Sequence, residues 1–170
     1  MNTAHYYIES LQLLPHPEGG YYRETYRSPE TVPAGSVSQR FKGSRSCCTG
    51  IFYLLQAGDY SAFHRIKSDE MWHFYAGHPL EVHMLDHMGH SVIELGSDLQ
   101  AGQQLQAVVP ADTWFAAAPK QGSAFSLVGC TVSPGFDFQD FELARASQIE
   151  QLVPSRAEAL LRRFPPRDLR

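Results

Sequence analysis

Two side chains carry the clearest chemical signal in this sequence, His64 and Glu70, both within the stretch from Gly58 to Gly77. Strand alternation places Tyr60, Ala62, His64 and Ile66 on one face, and Glu70, Trp72 and Phe74 on one face of the next strand, with Lys67-Ser68-Asp69 as the polar turn between them. A hairpin here sends an imidazole and a carboxylate into one interior, where they can bind a metal or trade protons. A partly desolvated imidazole beside a carboxylate works near neutral pH as a general acid or base. The plainer role is a core histidine satisfied by a buried partner. Tyr53, on the run Gly50-Ile51-Phe52-Tyr53-Leu54, can donate a proton or bind a sugar oxygen, or simply pack with its hydroxyl at the rim. Tyr60, Ile66, Trp72, Phe74 and Phe115 are the expected ligand-binding wall.

These side chains need a scaffold of short strands. Candidate strands run over residues 21–27, 48–56, 59–66, 71–75, 80–86, 91–95, 105–109, 113–117 and 124–132, separated by Gly-, Pro- and Asp-rich turns. Strands at this spacing without intervening helices predict an antiparallel sandwich or barrel. A helix is expected within residues 3–14, where Tyr7, Leu11 and Leu14 recur before Pro15. A second is expected near the other end, where Ser155 and Glu158 read as a capping box, Leu160, Leu161 and Phe164 form a stripe, and Pro165-Pro166 stops it. Residues 28–46, rich in Pro, Gly and Ser, form one long connection that can close over a pocket or reach a neighbouring subunit. His16, Glu18 and Arg23 flank a double-glycine turn and are read as structural or intersubunit residues, with a contribution to the neighbour's pocket as the sharper alternative. His5, His78, His87 and His90 are read as solvated.

At 170 residues the chain is one domain by a prior of about 150 residues each, with a β core over residues 47–132, a helix and strand over 3–27 and C-terminal helices over 144–164. Fourteen basic against eighteen acidic residues give a net charge of −4, without the basic excess that nucleic acid demands. No apolar run approaches the roughly 20 residues that cross a bilayer, and the first ten residues lack a secretory pattern. Cys47, Cys48 and Cys130 form no C-x-x-C pair, which fits reduced thiols and a cytoplasmic location. A small-molecule ligand is the expected partner, with no nucleic acid and no membrane.

The stretch around His64 resembles the first motif of the cupin superfamily, with Gly58, His64, Glu70 and Gly77 in matching positions and Ile66 where a second metal-binding histidine stands. In the second motif, Pro110-Ala111-Asp112-Thr113-Trp114-Phe115 matches, with Phe115 in place of a histidine, and Asn2 is the chain's only Asn, so the motif's terminal Asn has no counterpart. The chain is more closely similar to a small uncharacterised family of bacterial and fungal single-domain cupins. That likeness rests on Pro15-His16-Pro17-Glu18-Gly19-Gly20-Tyr21-Tyr22, on Phe63-His64-Arg65 through Glu70-Met71-Trp72-His73-Phe74-Tyr75, and on Gly129-Cys130-Thr131-Val132-Ser133-Pro134-Gly135-Phe136, spanning residues 14–143.

The resemblance implies an all-β fold, a double-stranded β-helix jelly roll with short terminal helices, and a homodimer. It implies no particular activity. Metal sites need a fuller ligand set than His64 and Glu70 supply, and Ile66 and Phe115 put apolar surface where ligands belong, so no metal is expected. A metal-dependent alternative, at His64 and Glu70, needs His83 or a tyrosine besides; His73 has the wrong strand parity. By architecture the chain resembles cupin dehydrorhamnose epimerases, which implies a metal-independent epimerase or isomerase of a small carbohydrate, with His64 as base, Glu70 as its partner or second acid, and Tyr53 as proton donor. The alternative is a cup that binds a small ligand without changing it.

Overall fold

The computed structural model describes residues 2–167. In chain order the elements are α1 (Ala4–Ser10), β1 (Leu14–Pro15), β2 (Tyr21–Arg27), β3 (Thr31–Val32), β4 (Arg45–Ser46), β5 (Thr49–Gln56), β6 (Ser61–Arg65), β7 (Asp69–Gly77), β8 (Leu80–Asp86), β9 (Gly89–Leu95), β10 (Gln106–Val109), β11 (Trp114–Pro119), β12 (Phe125–Ser133), β13 (Glu142–Leu143), α2 (Ala146–Leu152) and α3 (Ala157–Arg163). Two antiparallel sheets face each other, one ordered β1-β2-β5-β12-β7-β10 and the other β13-β6-β11-β8-β9. This is the expected all-β jelly roll with short terminal helices.

Alternation decides which side chains enter the space between the sheets. Tyr53, Leu55, Trp72, Val82, Phe115, Val128 and Cys130 meet there as the inner core. The opposite faces are not left to solvent. Phe63, Leu85, Trp114 and Ala116, on the outer side of the five-stranded sheet, pack under Ile149, Leu160 and Phe164 of the C-terminal helices. Leu54 and Leu127, on the outer side of the six-stranded sheet, meet Tyr7, Ile8 and Leu13 around α1. Each sheet is thus apolar on both sides over part of its area, which explains why several strands read as runs rather than strict alternations.

Three local expectations need correction. First, β6 and β7 do not pair: β6 bonds β11 and β13, whereas β7 bonds β12 and β10. Residues 66–68 form an arch from one sheet to the other, so His64 and Glu70 approach from facing sheets. Second, Ser155 caps nothing: the residue before α3 is Arg156, without a side-chain cap. The box-like bond lies at α2, where the Arg145 N–H donates to Gln148 Oε1 at 2.8 Å. Third, residues 28–46 are not wholly structureless, because Thr31 and Val32 pair with Ser46 and Arg45.

That paired segment is anchored in the interior. Arg45, almost fully buried, donates through Nε and Nη2 to Asp140 at 2.6 and 2.8 Å. Asp140 sits in a short 3-10 turn, Phe138–Asp140, on the connection that leaves β12 and joins the facing sheet as β13. Lys67 Nζ stands 3.6 Å from the same carboxylate. Removing one partner of such a pair leaves a buried charge uncompensated, at a cost of about 3 to 5 kcal/mol. Asp140→Ala should therefore lower the unfolding midpoint strongly in denaturant titrations; a shift worth less than about 1 kcal/mol, the range of exposed pairs, contradicts the anchoring role.

Candidate functional site

A cavity of about 540 Å³ opens between the sheets at the end where β2, β5, β6, β7 and β12 converge, and the Phe136 to Phe141 connection forms one side of its mouth. His64, Ile66 and Glu70 are in its wall, together with His16 and Glu18 from the turn before β2.

The double glycine explains how Glu18 comes to be inside. Gly19 has φ +115°, and a Cβ there would stand 2.2 Å from the Tyr60 carbonyl; Gly20 has φ +71°, with the Leu54 carbonyl 2.5 Å from its notional Cβ. Only residues without a side chain let this turn lie flat against both strands. The Glu18 side chain is thereby pressed into the barrel, 7% exposed. The Tyr53 hydroxyl fixes the turn from below by donating to the Gly19 carbonyl at 2.7 Å.

His64 is clamped on both faces. Its ring centroid lies 4.0 Å from that of Phe115 and 5.2 Å from that of Phe141, nearly parallel to the latter. Nδ1 lies 2.8 Å from the Ala62 carbonyl oxygen and 3.2 Å from Glu18 Oε2. A lone pair on Nδ1 would repel that carbonyl, so Nδ1 carries the proton and donates it to Ala62, leaving the Nε2 lone pair free. Glu18 Oε2 itself is buried without a hydrogen bond. His16 has the other tautomer, because its Nδ1 accepts from the Glu18 N–H at 3.2 Å.

Burial governs the charges of this cluster. Desolvation holds the His64 pKa below its usual value, against the opposing pull of the Ala62 carbonyl and of Glu70. It lowers His16 likewise, and raises Glu18. Glu70 is pushed up from about 4.5 to about 7, chiefly by burial, with nearby Glu18 adding to the rise and His64 opposing it. The Cys130 thiol and the Trp72 indole face that carboxyl, although Trp72 Nε1 closes no hydrogen bond. The site therefore holds neutral imidazoles beside a carboxyl poised to hold or release a proton near neutrality.

The aromatic wall expected from sequence is mostly elsewhere. Tyr53, Trp72 and Phe115 form the packed floor beneath the cavity, with Tyr53–Trp72 and Trp72–Phe115 ring separations of 6.2 and 6.1 Å. Phe74 packs against the same inner core. Tyr60 precedes β6 and turns outward, 6.2 Å from the Phe164 ring. Tyr53 is thus no cavity-facing proton donor: its hydroxyl is committed to Gly19, and burial raises its pKa well above normal. Of the five wall residues only Ile66 reaches the cavity; Tyr22, Phe136, Phe138 and Phe141 form the real aromatic lining. Arg23 instead ties down the end of α1 through the Leu11 carbonyl at 2.9 Å. His90 is not simply solvated, since it pairs with His83 Nδ1 at 3.0 Å.

A metal does not fit the donors present. Among the described residues no three His, Cys, Asp or Glu side chains are grouped so as to hold an ion. Ile66 and Val132 line the cavity beside His64 and Glu70. His83 packs on the outer side of its sheet against Phe164, and His73 Nε2 meets Thr131 Oγ1 at 3.1 Å, so neither completes a set.

Comparison with known proteins places this geometry. A family model described as Cupin superfamily (DUF985) matches residues 5–144. An uncharacterised protein of Saccharomyces cerevisiae, YML079W, is 29% identical over 164 residues, which is 90% of this chain and 82% of the yeast protein. Among solved structures, a hypothetical protein from Leishmania major is 34% identical with a TM-score of 0.85, over 96% of this chain and 98% of that one. Protein SO0799 from Shewanella oneidensis is 38% identical with a TM-score of 0.84, over 98% and 100%. A cupin 2 domain-containing protein from Halorhodospira halophila shares the fold at 14% identity and a TM-score of 0.54, over 86% and 85%.

Glu70 supplies a stability test. Between about pH 4.5 and about 7 the folded protein holds a proton on Glu70 that the unfolded chain has released, so stability falls as pH rises through that window. Glu70→Gln removes this loss and should gain on the parent by about 3 kcal/mol between pH 4 and pH 8. Urea unfolding at both pH values checks it; a pH-independent difference means that the carboxyl titrates normally.

Proposed function

This chain belongs to the DUF985 family of the cupin superfamily, and from that premise we propose that its cavity is the active site of a metal-independent isomerase or epimerase acting on a small carbohydrate-like substrate. The observation that carries the reading is the pairing, in the wall of one cavity, of a His64 whose free Nε2 is basic and uncharged with a Glu70 carboxyl that keeps its proton to about pH 7. General acid and base then coexist in their working forms at neutral pH.

In this reading His64 Nε2 takes the proton from a carbon next to the substrate carbonyl, and Glu70 hands a proton to the carbonyl oxygen as the enediol forms. Reversal returns a proton to carbon and the other to the Glu70 carboxylate, so the reaction needs no co-reactant. Return to the neighbouring carbon isomerises; return to the opposite face epimerises, with Glu18, whose pKa burial raises, as the second acid in place of Tyr53, after which His64 gives its proton to solvent and Glu18 regains one. Phe115 and Phe141 hold the imidazole plane.

A second reading, a binding cup without turnover, draws on the apolar share of the wall, Ile51, Ile66, Val132 and the three phenylalanines. Such a cup is stabilised saturably by its ligand and returns it unchanged. For assembly we propose a homodimer, because Met71, Tyr75 and Val108 put exposed apolar side chains on the outward side of β7 and β10. Among the described residues no helix is long and apolar enough to cross a membrane.

Solvent deuterium incorporation next to the carbonyl of a panel of keto sugars, followed by NMR, tests the chemistry. Exchange should drop about 100- to 10,000-fold in His64→Asn with the fold intact, and should decline as pH rises through about 7, where Glu70 loses its proton. Undiminished exchange removes His64 from the mechanism. Light scattering at micromolar concentration should give the mass of two chains; a monomer mass contradicts the dimer.

A further inference from the structure

The charge inventory of the cavity restricts what it admits. Among the described residues its wall contains one guanidinium, Arg27, and that group is already engaged. Nε and Nη2 fork onto Glu24 at 3.0 and 2.7 Å, while Nη1 donates to the Phe136 carbonyl at 3.1 Å. The histidines of the wall, His16 and His64, are held neutral by burial. Arg167, whose charge reaches Glu18, packs over the Tyr60 ring and is not in the wall. Against this stand the carboxyls of Glu18, Glu24, Glu70 and Asp137. A phosphate entering here loses its hydration and, among the described residues of the wall, finds no unpaired cation in return.

The inner and outer ends of the cavity make different demands. At the inner end Glu18 Oε2 is a buried acceptor without a hydrogen bond, a position that a ligand hydroxyl satisfies. At the outer end Phe136, Phe138 and Phe141 meet edge to face, with ring centroids 5.0 to 6.3 Å apart. Phe138 is 55% exposed there, an apolar ring left for something to cover. Flat apolar groups gain by packing on such rings.

We propose that the substrate is an uncharged sugar with a ketone on a ring carbon and an aromatic or similarly flat apolar aglycone, with its hydroxyls toward Glu18 and its aglycone against the Phe136–Phe138–Phe141 wall, and that phosphorylated and nucleotide-linked sugars are excluded. This rests on the active-site reading above only for what happens to the sugar after it binds. Arg27 and Glu24 act as the selectivity pair: while each neutralises the other, the pair offers an anion no net positive charge.

Titration calorimetry at neutral pH with matched phenyl glycosides, methyl glycosides and 1-phosphates of glucose, galactose, mannose and rhamnose tests it. For at least one sugar the phenyl glycoside should bind about tenfold or more tighter than the methyl glycoside, and every 1-phosphate should bind more weakly than both. Phe138→Ala should reduce the phenyl advantage. Glu24→Gln, which frees Arg27, should narrow the gap between the phenyl glycoside and the 1-phosphate of the preferred sugar by about tenfold or more. A 1-phosphate bound by the unmodified protein as tightly as its phenyl glycoside overturns the proposal. So does a panel in which no phenyl glycoside binds, or in which phenyl and methyl glycosides bind alike. The two readings fail separately. His64-dependent deuterium exchange confined to phosphorylated keto sugars leaves the acid–base chemistry standing and removes this specificity. Tight phenyl glycoside binding without any exchange of keto sugars does the reverse.

Discussion

Burying ionisable groups opposes folding, and in this protein Glu18, His64 and Glu70 are buried together. The rest of the barrel is arranged around that constraint. Each group escapes full charge by a shift in pKa, and each is held by something rigid: Glu18 by a glycine turn that fits only without Cβ atoms, His64 by the Ala62 carbonyl and two aromatic rings, Glu70 by its place on a strand hydrogen-bonded on both sides. Stability is surrendered locally so that proton-transferring groups stay undissolved by solvent, and the outer clusters under the terminal helices supply apolar burial that offsets it.

The jelly roll was legible because turn residues punctuate the strands and apolar and polar residues alternate at the start of β8, Leu80-Glu81-Val82-His83. The inward direction of His64 and Glu70 was legible for the same reason. Their convergence has a different cause from the one the sequence suggested: residues 66–68 cross between sheets, and parity alone cannot tell an arch from a hairpin, since both keep the same residues facing inward. The aromatic lining was misread because inward-pointing does not mean cavity-facing. Trp72 and Phe115 point inward and are consumed as the packed floor, at 2% and 0% exposure.

Glu18 shows the other limit. Nothing local marks it as buried, for a carboxylate in a Pro-Glu-Gly-Gly turn ordinarily sits in water. The retrievable signal was the double glycine itself: two adjacent residues without side chains mark a close backbone approach, and here Tyr60 and Leu54 supply the backbones approached. Phe136, Phe138 and Phe141 were similarly hidden, because they lie in a connection without strand periodicity and only the crossing from β12 to β13 brings them over the mouth.

That crossing divides labour in an economical way. Asp140 fastens it to Arg45, and β13 docks it on β6, so its far end is fixed, while the Phe136, Phe138 and Phe141 rings pack against one another and Phe141 stacks on His64. Exchanges at Phe136 or Phe138 leave the proton-transfer residues and the sheets untouched. Members of such a lineage can thus diverge in the guest they accept through a handful of replacements in one short span, inheriting an unchanged reaction centre.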